Sequence, residues 1–439
     1  MKTLKTKYNC SFTVLLISLL LILPCPGVLK GAQIPSPEDV VARKAALPTI
    51  EDLTGGKVKK GDIIDKNNVD VVKEWLTPGC LEAVNQGMVL IMGTNSGCDE
   101  GVPKEFVELT AKNKGKAVMD TTGAVYYEKI GTPWPGGRPY PEPKNGLETM
   151  ANMKYGIGVD DFQARGVLRF VNKKGKVYKS FGLESTQIWC SGRKYQPPLG
   201  TVPEYEGTLF RRTSMLTHPI EIKGQGQFSI RYYDDAKKYD TGFTYFPAYK
   251  RTLRISSTTW QDNIAGSDLI YGDSQGFNEP FVDWEFKLLG TNYVLLPEHK
   301  SPFPYLDDKG NVDPKVKFDL GFKWPRLGWA VFPMHVVEAT PKIKHVYGKK
   351  MIFVSSDPYT NATDLCELVD IYDRQMKLWK LYCPHNGDWV KDKGFVVPFG
   401  VFMADLQAQH TTSYWFKIQP NSNLRPGSAC FKYLLSHGR

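Results

Sequence analysis

The sequence lacks the residue patterns that mark the common catalytic centres. It contains no nucleophile elbow, no glycine-rich phosphate loop, no dinucleotide fingerprint, no HExxH zinc motif and no CxxCH haem site. The seven histidines are scattered, and no two of them stand at a metal-ligand spacing. These absences predict no catalytic residue, no metal and no cofactor, and they favour a binding or structural role over an enzyme.

Repeats and membrane-spanning runs are equally scarce. The chain has no repeat of fixed period, no low-complexity tract and no heptad pattern, which excludes solenoid and fibrous architectures. Beyond the leader, no segment approaches the ~20 apolar residues of a spanning helix, and the mean hydropathy is −0.33. We therefore expect a globular, water-soluble mature chain.

The first residues predict export. Three lysines precede an apolar run, Phe12–Leu23, which stops at Pro24, and small residues before Gln33 offer a cleavage point. Residues 1–32 are therefore predicted to be a signal peptide, and the chain to be periplasmic, either free or associated with the outer membrane. The alternatives are an uncleaved membrane anchor and a lipidated Cys25, and Pro24 disfavours the second.

The net charge gives no sign of a nucleic-acid partner. The formal charge of +10 includes four lysines in the leader, so the mature chain carries +6. This mild excess falls short of a nucleic-acid-binding footprint and fits an anionic lipid surface equally well.

Six cysteines remain after the leader, an even number in an oxidising compartment, so disulfides are expected. Cys366 and Cys383 flank a predicted hairpin, and a two-residue turn at Arg374-Gln375 would place them opposite each other. A bulged three-residue turn would separate them. Cys80 and Cys98 form the second predicted pair.

Helices are predicted only before residue 156. Capping residues, prolines and apolar spacing predict short helices at 36–44, at 69–76 with an end at Pro78, at 104–113 and at 147–155. Between the last two, residues 131–146 hold five prolines and four glycines and are predicted to be a loop.

The remainder of the chain alternates between strands and turns. Hairpins are predicted at Val167–Phe181, at the turn after Cys366 and around Asp234-Asp235. We expect a mainly β (α+β) protein, with a helical and loop-rich part (33–165) and a large antiparallel sheet (166–439) forming one domain.

Aromatic residues make up 12% of the chain, and some of them are expected to line a cavity. Basic residues alternate with aromatic and aliphatic ones over 210–255. Arg211, Arg212, Lys250, Arg251 and Arg254 either meet a phosphate or carboxylate head group or form a solvated face paired with acids such as Asp262 and Asp268. The predicted ligand-binding residues are Phe228, Ile230, Tyr232, Phe243, Tyr245, Leu253, Ile255, Arg251 and Arg254.

Three acids, Asp262, Asp268 and Asp273, invite a functional interpretation as calcium ligands or as a glycosidase carboxylate pair. Their spacing matches no calcium loop. We favour the simpler interpretation that they cap turns, with Gly266 and Gly272 supplying the unusual backbone angles.

Several ordered blocks carry a family resemblance. Residues 241–273, 283–290 and 335–380 resemble the bacterial family called domain of unknown function 1329. Its motif residues in this chain are Trp260, Asp262, Gly266, Asp268, Tyr271, Glu338, Tyr347, Tyr372, Asp373 and Arg374.

The resemblance implies a fold similar to the lipoprotein-carrier superfamily (LolA and LolB-like), with a curved half-barrel sheet closed by helices around an apolar cavity. By this analogy, Thr244–Ile255 belongs to the central sheet. Met376 stands where the family commonly has glycine, which favours the two-residue turn and the Cys366–Cys383 bond.

Two functions follow as hypotheses. The first is a binding protein that carries a lipid, acyl chain or sterol-like molecule, beside outer-membrane or inner-membrane transporter partners. The second is a structural or assembly factor that offers a strand edge to another envelope protein.

Overall fold

The computed structural model describes residues 47–93, 103–156, 158–255, 259–298, 328–357, 366–390 and 395–437. The predicted signal peptide, the helix predicted at 36–44 and Cys98 lie outside these residues. No helix in the described ranges is long and apolar enough to cross a membrane.

Strands dominate the described residues. They are β1 Ile63–Ile64, β2 Leu90–Met92, β3 Ala117–Met119, β4 Val125–Tyr127, β5 Asp161–Val171, β6 Val177–Trp189, β7 Thr208–His218, β8 Gly226–Tyr232, β9 Thr241–Phe246, β10 Arg251–Ile255, β11 Trp284–Pro297, β12 Gly328–Pro341, β13 Lys349–Ser355, β14 Cys366–Tyr372, β15 Leu378–Val390, β16 Phe395–Asp405 and β17 His410–Pro420. The α-helices are α1 Ile50–Leu53, α2 Pro78–Asn85, α3 Lys104–Asn113, α4 Gly146–Tyr155 and α5 Phe431–His437.

One fifteen-stranded sheet contains every described strand except β3 and β4, which form a separate pair. Its order is β1-β2-β12-β13-β14-β15-β16-β17-β5-β6-β7-β8-β9-β10, and β11 also pairs with β12. Neighbours are antiparallel except β2 and β12, which are parallel. The predicted mainly β fold with a large sheet is confirmed, although β9 and β10 lie at an edge and not at the centre.

The sheet is strongly curved. Tyr382 on β15 and Ile255 on β10 line the same cavity, although eight strand-to-strand steps separate them in the sheet. In a flat sheet these steps would span about 40 Å. The strands must therefore wrap around the cavity, which gives the sheet one concave and one convex face.

Both faces of the sheet are covered at the β12–β16 end. On the convex face α1 and α2 pack against apolar residues such as Leu368 and Phe402. On the concave face α3 and α4 pack with residues such as Val369 and Met403. Alternate residues of one strand thus enter two different cores, as period-2 geometry requires.

The predicted helices at 104–113 and 147–155 are confirmed, as is the irregular course of the loop at 131–146. The helix predicted at 69–76 is wrong, because this stretch forms two short 3-10 turns. Pro78 begins α2 instead of ending a helix: Thr77 accepts a hydrogen bond from the Cys80 amide, and proline suits the first helical turn.

The α2 N-terminus rests on a buried carboxyl of the sheet. Asp370 on β14 accepts hydrogen bonds from the Gly79 amide (2.9 Å) and the Thr77 hydroxyl (3.0 Å). Burial raises the pKa of Asp370 to about 7, although these two donors oppose the rise.

The predicted Cys366–Cys383 disulfide is absent, and the two residues are not bonded to each other in the described part of the chain. The turn has three residues, with Met376 at φ 59° in the left-handed region and a register shift before Tyr372. Val369 pairs with Tyr382, so the register brings Leu368 and not Cys366 opposite Cys383. Met376 therefore adopts the backbone angle that glycine favours, and the bulged alternative is the one observed.

We predict that Asp370→Asn removes a pH-dependent loss of stability. The folded pKa of Asp370 lies above the unfolded value, so its contribution to stability is present below about pH 4 and is lost as the pH rises toward 7. The free-energy difference between wild type and variant should change by at most about 1.4 kcal/mol per pH unit across this window.

Urea unfolding of both proteins at several pH values between 4 and 8 measures that difference. A difference that stays constant across the window would contradict the assignment to Asp370.

Candidate functional site

A cavity of about 560 Å³ lies on the concave face of the sheet. Its wall is formed by β5 to β10 and β15 to β17, and the segment 260–278, here called the cover segment, lies across it. The wall is mainly apolar, and its apolar residues include Leu168, Leu183, Trp189, Leu216, Phe246 and Ile255. A pocket of this size and character suits a small hydrophobic ligand.

The cover segment is irregular in structure and contributes its own apolar side chains to the cavity, including Trp260, Ile264 and Leu269. Ala265 and Gly266 reverse the chain with φ values of 53° and 78°, so the unusual backbone angle predicted at Gly266 is confirmed, whereas Gly272 has no positive φ. Gly276 lies so close to Cys366 that a Cβ there would be 2.2 Å from the thiol sulfur. The tight contact between cover and sheet thus requires glycine at this position.

A buried ionic cluster holds the cover segment and the residue that follows it to the sheet. Lys350 Nζ on β13 lies 3.0 Å from Asp273 and 3.5 Å from Glu279. Tyr347 donates a hydrogen bond to Asp273 (2.8 Å), and His345 lies 3.1 Å from Glu279. Burial lowers the pKa of Lys350, but the two carboxylates outweigh it and leave the pKa above its usual value.

A second contact holds the cover segment to β15 and β17. The Asp268 carboxylate accepts a hydrogen bond from Thr412 (2.8 Å) and lies 2.8 Å from His410 Nδ1, and Lys380 donates to the Asp268 carbonyl (2.6 Å). The hydrogen bond to Asp268 raises the pKa of His410. The predicted acids therefore join separate parts of the chain as well as shaping turns.

Asp268, Asp405 and His410 approach one another closely enough to share a metal ion. Their oxygens already accept hydrogen bonds from protein donors: Thr412 bonds to Asp268, and Trp379 Nε1 bonds to Asp405 (2.8 Å). We describe this group as a hydrogen-bonded contact. Sequence spacing gave no sign of it, because its members come from three separate elements.

The structure places most of the predicted ligand-binding residues on the convex face. Side chains of β8 and β9 alternate between the two faces, and Phe228, Ile230, Phe243 and Tyr245 pack beneath α5, against Phe431 and Leu434. Their polar neighbours, including Gln227, Ser229 and Thr244, face the cavity. The residues that the structure does not bring to the cavity wall are Phe228, Ile230, Tyr232, Phe243 and Tyr245.

The remaining predicted ligand-binding residues lie on edge strand β10. Ile255 lines the cavity, whereas Leu253, Arg251 and Arg254 are exposed and do not belong to its wall. Of the five basic residues considered, only Arg212 on β7 lines the cavity. Its neighbour Arg211 points to the convex side and donates to the Ala429 carbonyl (2.9 Å).

The family-motif residues divide between the cavity and its supports. Trp260 and Tyr271 line the cavity, and Tyr271 accepts a hydrogen bond from Gln227 (2.8 Å). Other motif residues support the sheet and its turns. Glu338 pairs with Lys349, and the Lys349 ammonium lies over the Tyr372 ring. Asp373 accepts a hydrogen bond from a turn amide, Arg374 donates to the His345 carbonyl, Tyr347 donates to Asp273, and the Asp262 carbonyl accepts from the Tyr271 amide.

Sequence reasoning missed the larger part of the cavity wall. On β6 and β7 the inward residues form cross-strand pairs such as Trp189 with Phe210 and Ser185 with Ser214. These inward positions mix apolar and polar side chains, so alternation alone did not mark them as a binding face. The strand order that joins β17 to β5 was also not visible in the sequence.

We predict that Lys350→Met destabilises the fold severely, because it leaves Asp273 and Glu279 buried without their cation. Loss of one partner from a buried ionic group costs about 3–5 kcal/mol. The matched control is Lys349→Met, whose partly exposed pair with Glu338 contributes no more than about 1 kcal/mol.

Chemical unfolding of the wild type and the two variants measures the difference. Equal stability of Lys350→Met and Lys349→Met would show that the cluster does not hold the cover segment.

Comparison with solved structures finds similar proteins of low sequence identity. A DUF1329 family protein from Desulfovibrio piger is 15% identical, with a TM-score of 0.43 over 63% of this chain and 92% of the other. A domain titled as an outer membrane lipoprotein-sorting protein from Vibrio parahaemolyticus is 16% identical, with a TM-score of 0.44 over 66% and 98%. A LolA superfamily protein from Nitrosomonas europaea is 13% identical, with a TM-score of 0.38 over 65% and 96%.

No curated protein matches the sequence. The sequence profile of the protein family of unknown function DUF1329 matches residues 63–429, which include the cavity wall, the cover segment and the ionic cluster. The chain therefore belongs to the DUF1329 family.

Proposed function

We propose that this protein binds a hydrophobic molecule in the cavity and carries it within the cell envelope without catalysing a reaction. The observation that carries the proposal is the mainly apolar cavity of about 560 Å³ enclosed by the sheet and the cover segment. Burying ~400 Å² of apolar ligand surface would contribute on the order of 10 kcal/mol before the costs of association. That is enough for reversible binding.

The predicted leader supports the envelope as the place of action. Its lysines, its short apolar run and its small residues before Gln33 have the features of an export signal. A carrier in this compartment would receive its ligand from one membrane or protein and deliver it to another.

The cavity chemistry supports binding over catalysis. In the described part of the chain, the cavity wall includes no histidine, cysteine, lysine or glutamate. Its two carboxylates already have cationic partners, since Asp240 pairs with Arg231 (2.7 Å) and Asp273 with Lys350 (3.0 Å). Neither is available as the base that a hydrolytic or isomerising enzyme would need.

A second candidate function rests on edge strand β10. This strand pairs with β9 on one side, and Arg251, Leu253 and Arg254 are exposed on it. Among the described residues no strand pairs with the other side of β10, and such an edge can accept a strand from another protein, which is the geometry that an assembly factor would use.

The test is native mass spectrometry, with organic extraction, of protein purified from the envelope without detergent. We expect a discrete added mass that extracts as a lipid, an acyl chain or a sterol-like compound. A clean apo mass, together with a partner protein at fixed stoichiometry, would favour the assembly-factor function instead.

A matched pair of variants locates the ligand. Thr244→Trp places an indole in the cavity and should displace most of the bound lipid, whereas Thr252→Trp makes the same change on the exposed side of β10 and should not. Binding of a hydrophobic fluorescent probe checks both variants. Equal binding by the two would place the ligand outside this cavity.

A further inference from the structure

Arg212 is the one cation among the described residues that line the cavity. Its Nε donates a hydrogen bond to the Gln187 side-chain oxygen, and its Nη1 donates to the Ser274 hydroxyl (3.2 Å). Both partners are neutral. Among the described residues, no carboxylate lies within ion-pair distance of this guanidinium.

Interior cations away from the cavity wall are held by carboxylates or by several carbonyl oxygens, as Arg193 is by four backbone carbonyls. Arg231, on the next strand, donates to Asp240 (2.7 Å), Asp235 (3.3 Å) and the Asn278 carbonyl (2.9 Å). Lys154 pairs with Asp235 at 2.6 Å. A charge held away from water without an ionic partner is costly, and Arg212 has two neutral side-chain acceptors on a wall that a ligand can reach.

The electrostatic surroundings of Arg212 leave a net positive charge facing the cavity. Burial and repulsion from Arg231 lower the pKa of Arg212 to about 10, with Asp240 opposing them, so the group is still cationic at neutral pH. The acids of the cavity wall are already paired, Asp240 with Arg231 and Asp273 with Lys350. Arg212 is the cation that an incoming anion would meet on the cavity wall.

Two further donors near the cavity lack acceptors. Gln187 Nε2 and Trp260 Nε1 are buried, and neither has a hydrogen-bond partner in the described part of the chain. Gln187 is the cross-strand partner of Arg212, and Trp260 lines the same cavity as Arg212. Buried polar groups are normally bonded, so an excess of donors predicts a ligand rich in acceptors.

We propose that the cavity binds an amphipathic acid, with its apolar body against the concave face and its carboxylate or phosphate group on the Arg212 guanidinium. The inference rests on the proposed carrier function and adds the chemical class of the ligand. The planar guanidinium favours an anion with two oxygens, because it can donate two parallel hydrogen bonds. The apolar wall of the cavity would hold the remainder of the molecule.

The first test compares head groups on one chain length and uses the wild-type protein. Palmitate, hexadecyl phosphate, palmitamide and hexadecylammonium each compete with the neutral fluorescent probe N-phenyl-1-naphthylamine. We expect at least one of the two acids to bind about tenfold to a hundredfold more tightly than the amide, and the ammonium to bind most weakly. The order of the two acids distinguishes a fatty acid from a phosphate-bearing lipid.

The second test removes the charge. Arg212→Gln should reduce binding of the preferred acid to the level of palmitamide and leave palmitamide unchanged. Arg211→Gln is the matched control, because it removes the same group from the adjacent position on the convex side. Arg212→Lys keeps the positive charge but loses the planar pair of guanidinium donors, so it should retain part of the preference for the acid over palmitamide. This variant tests the Arg212 assignment if Arg212→Gln does not fold.

The outcomes separate the inference from the function on which it rests. If palmitate, hexadecyl phosphate and palmitamide bind the wild type equally, the Arg212 assignment falls and hydrophobic carriage stands. If the preference survives in Arg212→Gln, the acid is held elsewhere and the assignment also falls. If neither the probe nor any of the four compounds binds, both the inference and the carrier function are overturned.

Discussion

The buried ammonium of Lys350 is the contact on which the cavity depends. It lies between Asp273 and Glu279, and all three groups are almost completely removed from water. Because carboxylates are stable in such a place only beside a cation, the cover segment has one low-energy position on the sheet. This explains how an irregular segment, with little hydrogen-bonded structure of its own, can cover the concave face.

Curvature and cover together create an interior of mixed chemistry. The concave face supplies leucine, isoleucine and aromatic side chains from distant strands, and the cover adds Trp260 and Leu269. The two carboxylates of this wall already have cationic partners, since Asp240 pairs with Arg231 and Asp273 pairs with Lys350. Among the described residues no carboxylate lies within ion-pair distance of Arg212, so the cavity wall carries a cation that a purely apolar pocket would lack.

The two faces of β8 and β9 show why hydrophobic alternation can mislead. The apolar pattern marked Phe228 and Tyr245 as predicted ligand-binding residues, and they do share a face. It could not say which face is concave, because a helix almost 200 residues later in the chain, α5, covers the aromatic side. The polar residues Gln227 and Thr244 then face the cavity. Apolar character thus identified a buried surface without identifying the ligand-facing one.

The local elements could be predicted from the sequence because their causes are local. The placement of proline and glycine predicted the loop at 131–146, and apolar spacing predicted α3. The pattern of strand and turn residues predicted the hairpin of β5 and β6. The Asp373 turn shows the limit of such reasoning: Met376 was expected to avoid the left-handed angle, yet it adopts that angle in the bulged turn.

By itself, the sequence determined that the chain is mainly β, resembles this family and has no familiar catalytic pattern. It also predicted an export leader. Only the tertiary structure decided which strands are neighbours, which face is concave and which cation lines the cavity. Each of these depends on residues that are distant in the chain and meet only in the folded sheet. Interactions of that kind leave no periodic or spacing signal in the sequence.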